Sequence, residues 1–385
     1  MGLYLGLISG TSMDAIDAAL VDFGRAPPSL VAASATPLDP DLKARITALI
    51  ESPERASLDE IGQLDVAVAH AFAQSTLDLL RRAGVAPSDV IAIGSHGQTL
   101  RHRPDLAMPF TWQIGDPNAL AELTGITVVA DFRRRDVAAG GQGAPLLPVF
   151  HDQVFRSERE ERVILNLGGI ANITILARGR DVSGFDTGPA NRLLDAWILR
   201  HRGQAFDEHG SWAATGRTDA GLLSLLLAEP YLALPPPKST GRELFNMPWL
   251  LEKLASADRG PADRGPPTAG TADRRPADRR PEDIQATLLE YTAATVADAV
   301  RRHAPGAALY ACGGGAHNSA LLAELALRVS PAPVATTAAL GLDPDYVEAI
   351  AFAWFAERTL AGLPSSAPSV TGARGARILG GIYAR

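Results

Sequence analysis

Two apolar runs near the start, residues 3–9 and 18–23, are separated only by the short polar stretch 10–17. That stretch cannot hold a crossover helix, so the two runs must pair as an antiparallel hairpin. The arrangement returns later: a strand over 163–167, a turn at Gly168-Gly169, a strand over 172–177 and a third strand running toward Phe185. Two hairpin-led copies predict two related domains facing each other. Around them, strand-like and helix-like patterns alternate, which marks an α/β protein. Ser57 followed by Glu60 forms a capping box, and Ile61, Leu64, Val68, Phe72, Ser75 and Leu79 then recur at helical spacing. Buried strands are expected over 90–94 and 127–130. A second long helix opens on Pro281 and carries Ile284, Leu288, Tyr291, Thr295 and Val300 on one face.

Composition bounds the function. The chain has 385 residues, 46% of them hydrophobic and 21% charged, as in an ordinary globular protein of two or three domains. With 36 Lys and Arg against 43 Asp and Glu the formal charge is -7, so no field exists to hold nucleic acid or anionic lipid unspecifically. Cys312 is the single cysteine, which excludes an internal disulfide framework and a cysteine-rich zinc site. The apolar start lacks a basic leader and soon meets Asp14 and Asp17, and no apolar run approaches the ~20 residues of a membrane span. A cytoplasmic protein is expected. Residues 257–281 repeat Ala-Asp-Arg-Gly-Pro and Ala-Asp-Arg-Arg-Pro with almost no apolar side chains. Asp258, Asp263, Asp273 and Asp278 offset its arginines, so a mobile surface insertion is expected rather than a basic ligand-binding tail.

Four glycine-containing clusters adjoin apolar strands: Gly10-Thr11-Ser12-Met13-Asp14, Asn166-Leu167-Gly168-Gly169-Ile170-Ala171-Asn172, Gly184-Phe185-Asp186-Thr187-Gly188-Pro189 and Gly313-Gly314-Gly315-Ala316-His317-Asn318. Glycine lets backbone N–H groups approach an anion closely, and a turn supplies several such donors at once. Three of the clusters suit phosphates and a nucleoside; the one around Asp186 carries an acid at an expected strand end. Glycines that merely close tight turns explain any single cluster equally well. A P-loop, a dinucleotide fingerprint, His-Glu-x-x-His and Gly-x-Ser-x-Gly are all missing from the sequence. Further polar clusters suited to reading a ligand are Ser95-His96-Gly97-Gln98-Thr99, Gln113-Ile114-Gly115-Asp116, Asp131-Phe132-Arg133 and Lys238-Ser239-Thr240-Gly241-Arg242.

Taken in order, these motifs, with Ala139-Gly140-Gly141-Gln142-Gly143-Ala144-Pro145-Leu146, resemble the anhydro-N-acetylmuramic acid kinases nearly end to end. The resemblance implies an actin-like ATPase fold: two ribonuclease-H-like α/β domains around a central cleft, with ATP at its base and sugar near its mouth. The domains would cover 1–130, with 370–385 packed on it, and 131–369, interrupted by the insertion. It further implies a phosphotransferase with an alcohol acceptor, a cytoplasmic homodimer that opens 1,6-anhydro-N-acetylmuramic acid to the 6-phosphate with ATP and Mg2+ during peptidoglycan recycling. Gly10, Thr11, Ser12, Met13, Asp14, Ala15, Ile16 and Asp17 would then hold the ATP phosphates, with Asp14 as metal ligand. Asn166, Gly168 and Gly169 would form a second phosphate loop, and Gly313, Gly314, Gly315 and Asn318 would lie by the nucleoside. Asp186 matches the general base; His96, Thr99, Arg133 and Glu348 would meet the sugar. Ala15 and Ala190 stand where that family usually has glycine, and a methyl at Ala15 could crowd a phosphate or forbid a positive φ. Two other functions are weighed: a kinase for another amino sugar, with Asp186 deprotonating a free hydroxyl, and a non-catalytic nucleotide sensor, suggested by Ala15.

Overall fold

A computed structural model describes residues 2–10, 13–24, 28–241, 244–259 and 279–385. The chain forms two compact units, Met1–Arg156 with Asp181–Ser183 and Gly341–Arg385, and Ser157–Arg180 with Gly184–Leu340.

The first unit is built on the predicted hairpin. Strand β1 (Leu3–Ser9) pairs antiparallel with β2 (Ala15–Asp22), and β2 with β3 (Ser29–Pro37). On its other side β1 runs parallel to β4 (Val90–Ser95), and a small antiparallel sheet, β5 (Gln98–Arg103) and β6 (Phe110–Ile114), comes next in sequence. Then β7 (Val128–Ala130) joins β4 in parallel, and β13 (Gly381–Tyr383) closes the edge antiparallel to β7. The second unit repeats the plan. Strand β8 (Arg162–Leu167) pairs antiparallel with β9 (Ile170–Leu176), β10 (Ser183–Pro189) flanks β9, and β11 (Ala308–Cys312) and β12 (Val334–Thr336) extend the sheet in parallel beyond β8. The strand orders β3-β2-β1-β4-β7 and β10-β9-β8-β11-β12 correspond position by position. Two related domains are therefore visible in the topology itself.

Both long helices lie where hydrophobic spacing places them. Ser57 caps Leu58–Ala83 by accepting from the Glu60 N–H at 3.1 Å, and Gly84 ends it in the left-handed conformation. Helix Pro281–His303 is buried on nearly every side, Tyr291 and Val296 completely. Ala257, Asp258 and Arg259 do not begin a loop, as the repeats suggested, but complete helix Met247–Arg259. At the other end of the insertion Arg279 is ion-paired to Asp219 and Asp258, and Arg280 to Asp283. The rest of the expected insertion, 260–278, lies outside the described residues. Among the described residues no helix is long and apolar enough to cross a membrane.

The division falls at residue 156 rather than 130, and the chain returns to the first unit at 341 rather than 370. The reason is one helix, Val347–Leu360, that lies directly on the first sheet. Gly6 of β1 and Gly94 of β4 sit opposite each other, and a Cβ at either would overlap helix backbone, the carbonyl oxygen of Ala349 or that of Phe352. The same helix also holds the segment beyond β7: Phe132 packs on Phe352 with ring centroids 5.6 Å apart, and Phe150 on Trp354 at 5.8 Å.

Gly94→Ala should therefore cost about 3 kcal/mol, since overpacking here can be relieved only by moving backbone. Gly62→Ala, with open space around the Cβ position in the interior of helix Leu58–Ala83, should be neutral or slightly stabilising. Urea denaturation of the two variants checks this; equal stabilities would contradict the close seat.

Candidate functional site

In the first unit the turn after β1 is tighter than its sequence suggests. Ala15, Ile16 and Asp17 belong to β2, and the Met13 N–H donates to the Gly10 carbonyl at 3.1 Å. Met13 takes the left-handed conformation, φ 55°, while Ala15 is extended. The methyl at Ala15 therefore demands no positive φ. Met13 and Ile16 bury their side chains in the core, so they can offer a ligand only backbone. Thr11 and Ser12 lie outside the described residues. Asp14 is exposed and takes Lys43 Nζ on Oδ1 at 2.6 Å, an ion pair too wet to contribute much stability.

Asp17 differs from Asp14 although only one turn of sequence separates them. Burial, and then the charges of Glu348 and Asp345, push its carboxyl up to about 7. Glu348 is held there because it opens helix Val347–Leu360, whose seat on Gly6 and Gly94 leaves it no freedom to shift.

His96 follows directly on β4 and is buried against Phe352, ring centroids 4.8 Å apart. Arg133 Nε donates to its Nε2 at 3.0 Å, and because arginine can only donate, the ring proton must sit on Nδ1, which donates to the Gly97 carbonyl at 2.9 Å. Burial, and next the Arg133 charge, hold the imidazole well below its usual range, so it is neutral. Both ring nitrogens are spent. His96 thus positions Arg133 and keeps no polar atom for a substrate, contrary to the expectation that it meets the sugar directly. Arg133 Nη1 also donates to the Gly143 carbonyl at 2.8 Å. That loop is anchored by Asp136, a residue sequence reasoning passed over: its buried carboxylate accepts from the Gly143 N–H at 2.8 Å and the Thr371 hydroxyl at 2.9 Å. The glycine run 140–143 was the available signal, since a loop of that kind needs an anchor. Thr99, on β5, accepts from Gln113 Nε2 at 3.1 Å, which joins two of the predicted polar clusters.

In the second unit Asp186 lies inside β10 rather than at a strand end. Its N–H donates to the Lys238 carbonyl at 3.2 Å, its carbonyl accepts from the Tyr231 hydroxyl at 3.0 Å, and Oδ2 accepts from the Thr240 N–H at 2.9 Å. The stretch 238–240, a predicted polar cluster, thus meets both the backbone and the carboxylate of Asp186; Arg242, the cluster's last member, lies outside the described residues. The Gly168-Gly169 turn is held by carbonyls, which receive the N–H groups of Ala190, Asn191 and Arg192 at 3.0–3.2 Å. Ala190 itself has φ -120°, outside the positive-φ range that favours glycine. Gly313 and Gly315 are glycine because β8 passes too close for a Cβ, meeting Asn166 Oδ1 and the Leu167 side chain respectively, whereas Gly314 faces open space. Asn318 caps helix Ser319–Val329 by accepting from the Leu321 N–H at 3.0 Å. Tight turns and a helix cap thus account for most of this cluster, leaving Gly314 as its open backbone.

Among the described residues no group of three or more His, Cys, Asp or Glu could hold a metal. A single exposed carboxylate such as Asp14 still fits Mg2+, which keeps waters and is usually bound by one or two carboxylates together with substrate phosphates.

The model of the family described as anhydro-N-acetylmuramic acid kinase matches residues 2–385. The chain belongs to the anhydro-N-acetylmuramic acid kinase family. A member from Xanthomonas campestris pv. campestris is 53% identical over 385 residues, covering 99% of this chain and 97% of its own. One from Xylella fastidiosa is 50% identical over 385 residues, with 99% and 96% covered, and one from Coxiella burnetii is 48% identical over 383 residues, with 99% and 97% covered. As a member of a kinase family the chain takes ATP as phosphoryl donor and acts on a small molecule. Component A of (R)-2-hydroxyglutaryl-CoA dehydratase from Acidaminococcus fermentans aligns over 94% of this chain and 100% of its own, at TM-score 0.50 and 12% identity. That likeness bears on fold alone, the mixed α/β fold of the actin-like ATPases and sugar kinases.

The raised carboxyl of Asp17 makes a signed prediction. The folded state holds a proton that the unfolded state releases near pH 4, so this group's contribution is full below pH 4 and is lost as pH rises toward 7. Asp17→Asn should remove that loss, gaining on the parent protein by about 1 kcal/mol per pH unit between pH 5 and 7. Urea denaturation across that range reads it; a pH-independent difference would contradict it.

Proposed function

We propose that this protein uses ATP to open the 1,6-anhydro ring of anhydro-N-acetylmuramic acid and leaves the phosphate on O6. The observation that carries the proposal is the Asp186 carboxylate in a chain of this family: its Oδ2 accepts from the Thr240 N–H, and its own backbone is pinned on both sides. Cleaving a glycosidic bond ordinarily takes two carboxylates, one protonating the leaving oxygen and one activating water. Here the leaving oxygen is O6, and the γ-phosphorus can capture it in place of a proton. One carboxylate then suffices: Asp186 accepts a proton from the water that attacks C1, the C1–O6 bond breaks, and O6 takes the phosphoryl group as ADP departs.

The remaining residues bind and orient. Mg2+ held at Asp14 would spread the charge that develops on the phosphates. Arg133, locked by neutral His96 and the Gly143 carbonyl, presents a planar fork suited to the carboxylate or hydroxyls of an acidic amino sugar. Glu348 and Thr99 complete the sugar contacts. Glu348 binds the sugar rather than protonating O6, because a proton there would blunt attack on phosphorus. The extended backbone at Ala15 removes one of the two grounds for a non-catalytic nucleotide sensor, the need for a positive φ. The setting we infer is the cytoplasm, with the chain as a homodimer serving peptidoglycan recycling.

Asp186→Asn should lower ADP release with the anhydrosugar by about 10²-fold or more while nucleotide binding survives, because the amide keeps the shape but accepts no proton. Near-normal turnover would reduce Asp186 to a structural residue.

A further inference from the structure

A cavity of about 500 Å³ lies in the second unit, lined on β10 by Phe185 and Thr187. Side chains alternate along a strand, so these neighbours of Asp186 face one way and its carboxylate the other. The cavity is therefore not the place where Asp186 acts. Its apolar wall includes Leu232, Ala294 and Ala299; its charged wall is Lys238, the Arg301-Arg302-His303 end of helix Pro281–His303 and Arg328, with the carboxylates of Glu229 and Asp298.

The carboxylates near this wall are already engaged. Asp298 pairs with Arg302 at 2.7 Å, Glu324 pairs with Arg328 at 2.8 Å, Glu290 pairs with Arg328 too, and Glu229 takes Lys253 at 2.9 Å. Two cations are left over. Among the described residues neither Lys238 nor Arg301 has a carboxylate at ion-pair distance: Lys238 Nζ donates to the Tyr231 and Leu232 carbonyls at 3.2 and 3.0 Å, and Arg301 Nη1 to the Arg328 carbonyl at 3.1 Å. Arginine in the last turn of a helix offsets the helix dipole, which would account for Arg301 alone. It does not account for Lys238, half-buried over the Tyr231 and Phe185 rings on a different segment.

We propose that this cavity is a binding site for a small phosphate monoester, its phosphate between Lys238 and Arg301 and its organic part against the apolar wall. A phosphate monoester carries about -1.5 to -2 at neutral pH, which matches two cations that have no carboxylate at ion-pair distance among the described residues, and the volume lies within the ~300–1,000 Å³ of small-molecule sites. Burial, and then the Arg302 charge, lower the Lys238 ammonium below its ordinary range, with the Asp186 and Asp298 charges offsetting this only in part; a bound dianion would add to that offset. Occupancy would also reach Asp186, because the Lys238 carbonyl and the Thr240 N–H are the groups that hold it. This coupling rests on the proposed function, whereas the binding does not.

The experiment is calorimetric titration of the full chain with glucose 6-phosphate and with glucose. The parent should bind the ester and not glucose. Arg301→Gln, an exposed substitution, should weaken that binding about tenfold or more while turnover without the ester stays within twofold, and Lys238→Gln should weaken binding likewise. Failure of the ester to bind at millimolar concentration, equal binding of glucose, or unchanged binding by both variants would overturn the proposal. Because the readout is heat of binding, these outcomes are independent of whether the anhydrosugar is turned over.

Discussion

Helix Val347–Leu360 rests its backbone on two glycines, Gly6 and Gly94, that face each other across neighbouring parallel strands. No side chain intervenes, so the helix can neither slide nor rotate without striking the sheet. Much of the first unit depends on this contact. It sets Glu348 at the head of the helix, where its charge reaches Asp17, and stands Phe352 against both His96 and Phe132. Neutral His96 can then serve as an acceptor for Arg133, which a protonated ring could not. One close backbone approach thereby determines the protonation of two groups and the aim of a third.

The second unit secures its key carboxylate by other means. Asp186 is gripped through backbone contacts, its N–H and Oδ2 meeting the segment 238–240 and its carbonyl the Tyr231 hydroxyl. The glycines of the same unit turn out to be mixed in purpose. Gly313 and Gly315 make room for β8, and only Gly314 remains open.

The hairpins, the capped helix after Ser57 and the helix opening on Pro281 were legible because each rests on local rules: connection length, a cap and a hydrophobic stripe. Helix Val347–Leu360 was not, because Ala349, Ile350, Ala351, Phe352, Ala353, Trp354, Phe355 and Ala356 are all buried and leave no stripe to read. The division of the chain was misplaced for the same reason, since that helix carries the return to the first unit. Among site residues, family motifs led to Asp186, Arg133 and Glu348, but pairing decides roles, and pairing is not written in spacing. His96 reads as a ligand until its two nitrogens are seen to be spent. Asp136 reads as one acid in a charged helix until it is found buried beneath the loop 140–143.

The account stands on a single carboxylate serving a reaction that breaks one bond to O6 and makes another. Running the ATP-dependent reaction in ¹⁸O-water and locating the label by mass spectrometry tests this directly. If water activated by Asp186 attacks C1 while O6 takes the phosphoryl group, the label appears at C1, on the face opposite the departing O6, and the phosphate carries none. Label in the phosphate would mean simple ATP hydrolysis, and a phosphorylated product with its 1,6-bridge still closed would mean transfer to another hydroxyl; either result would contradict the account.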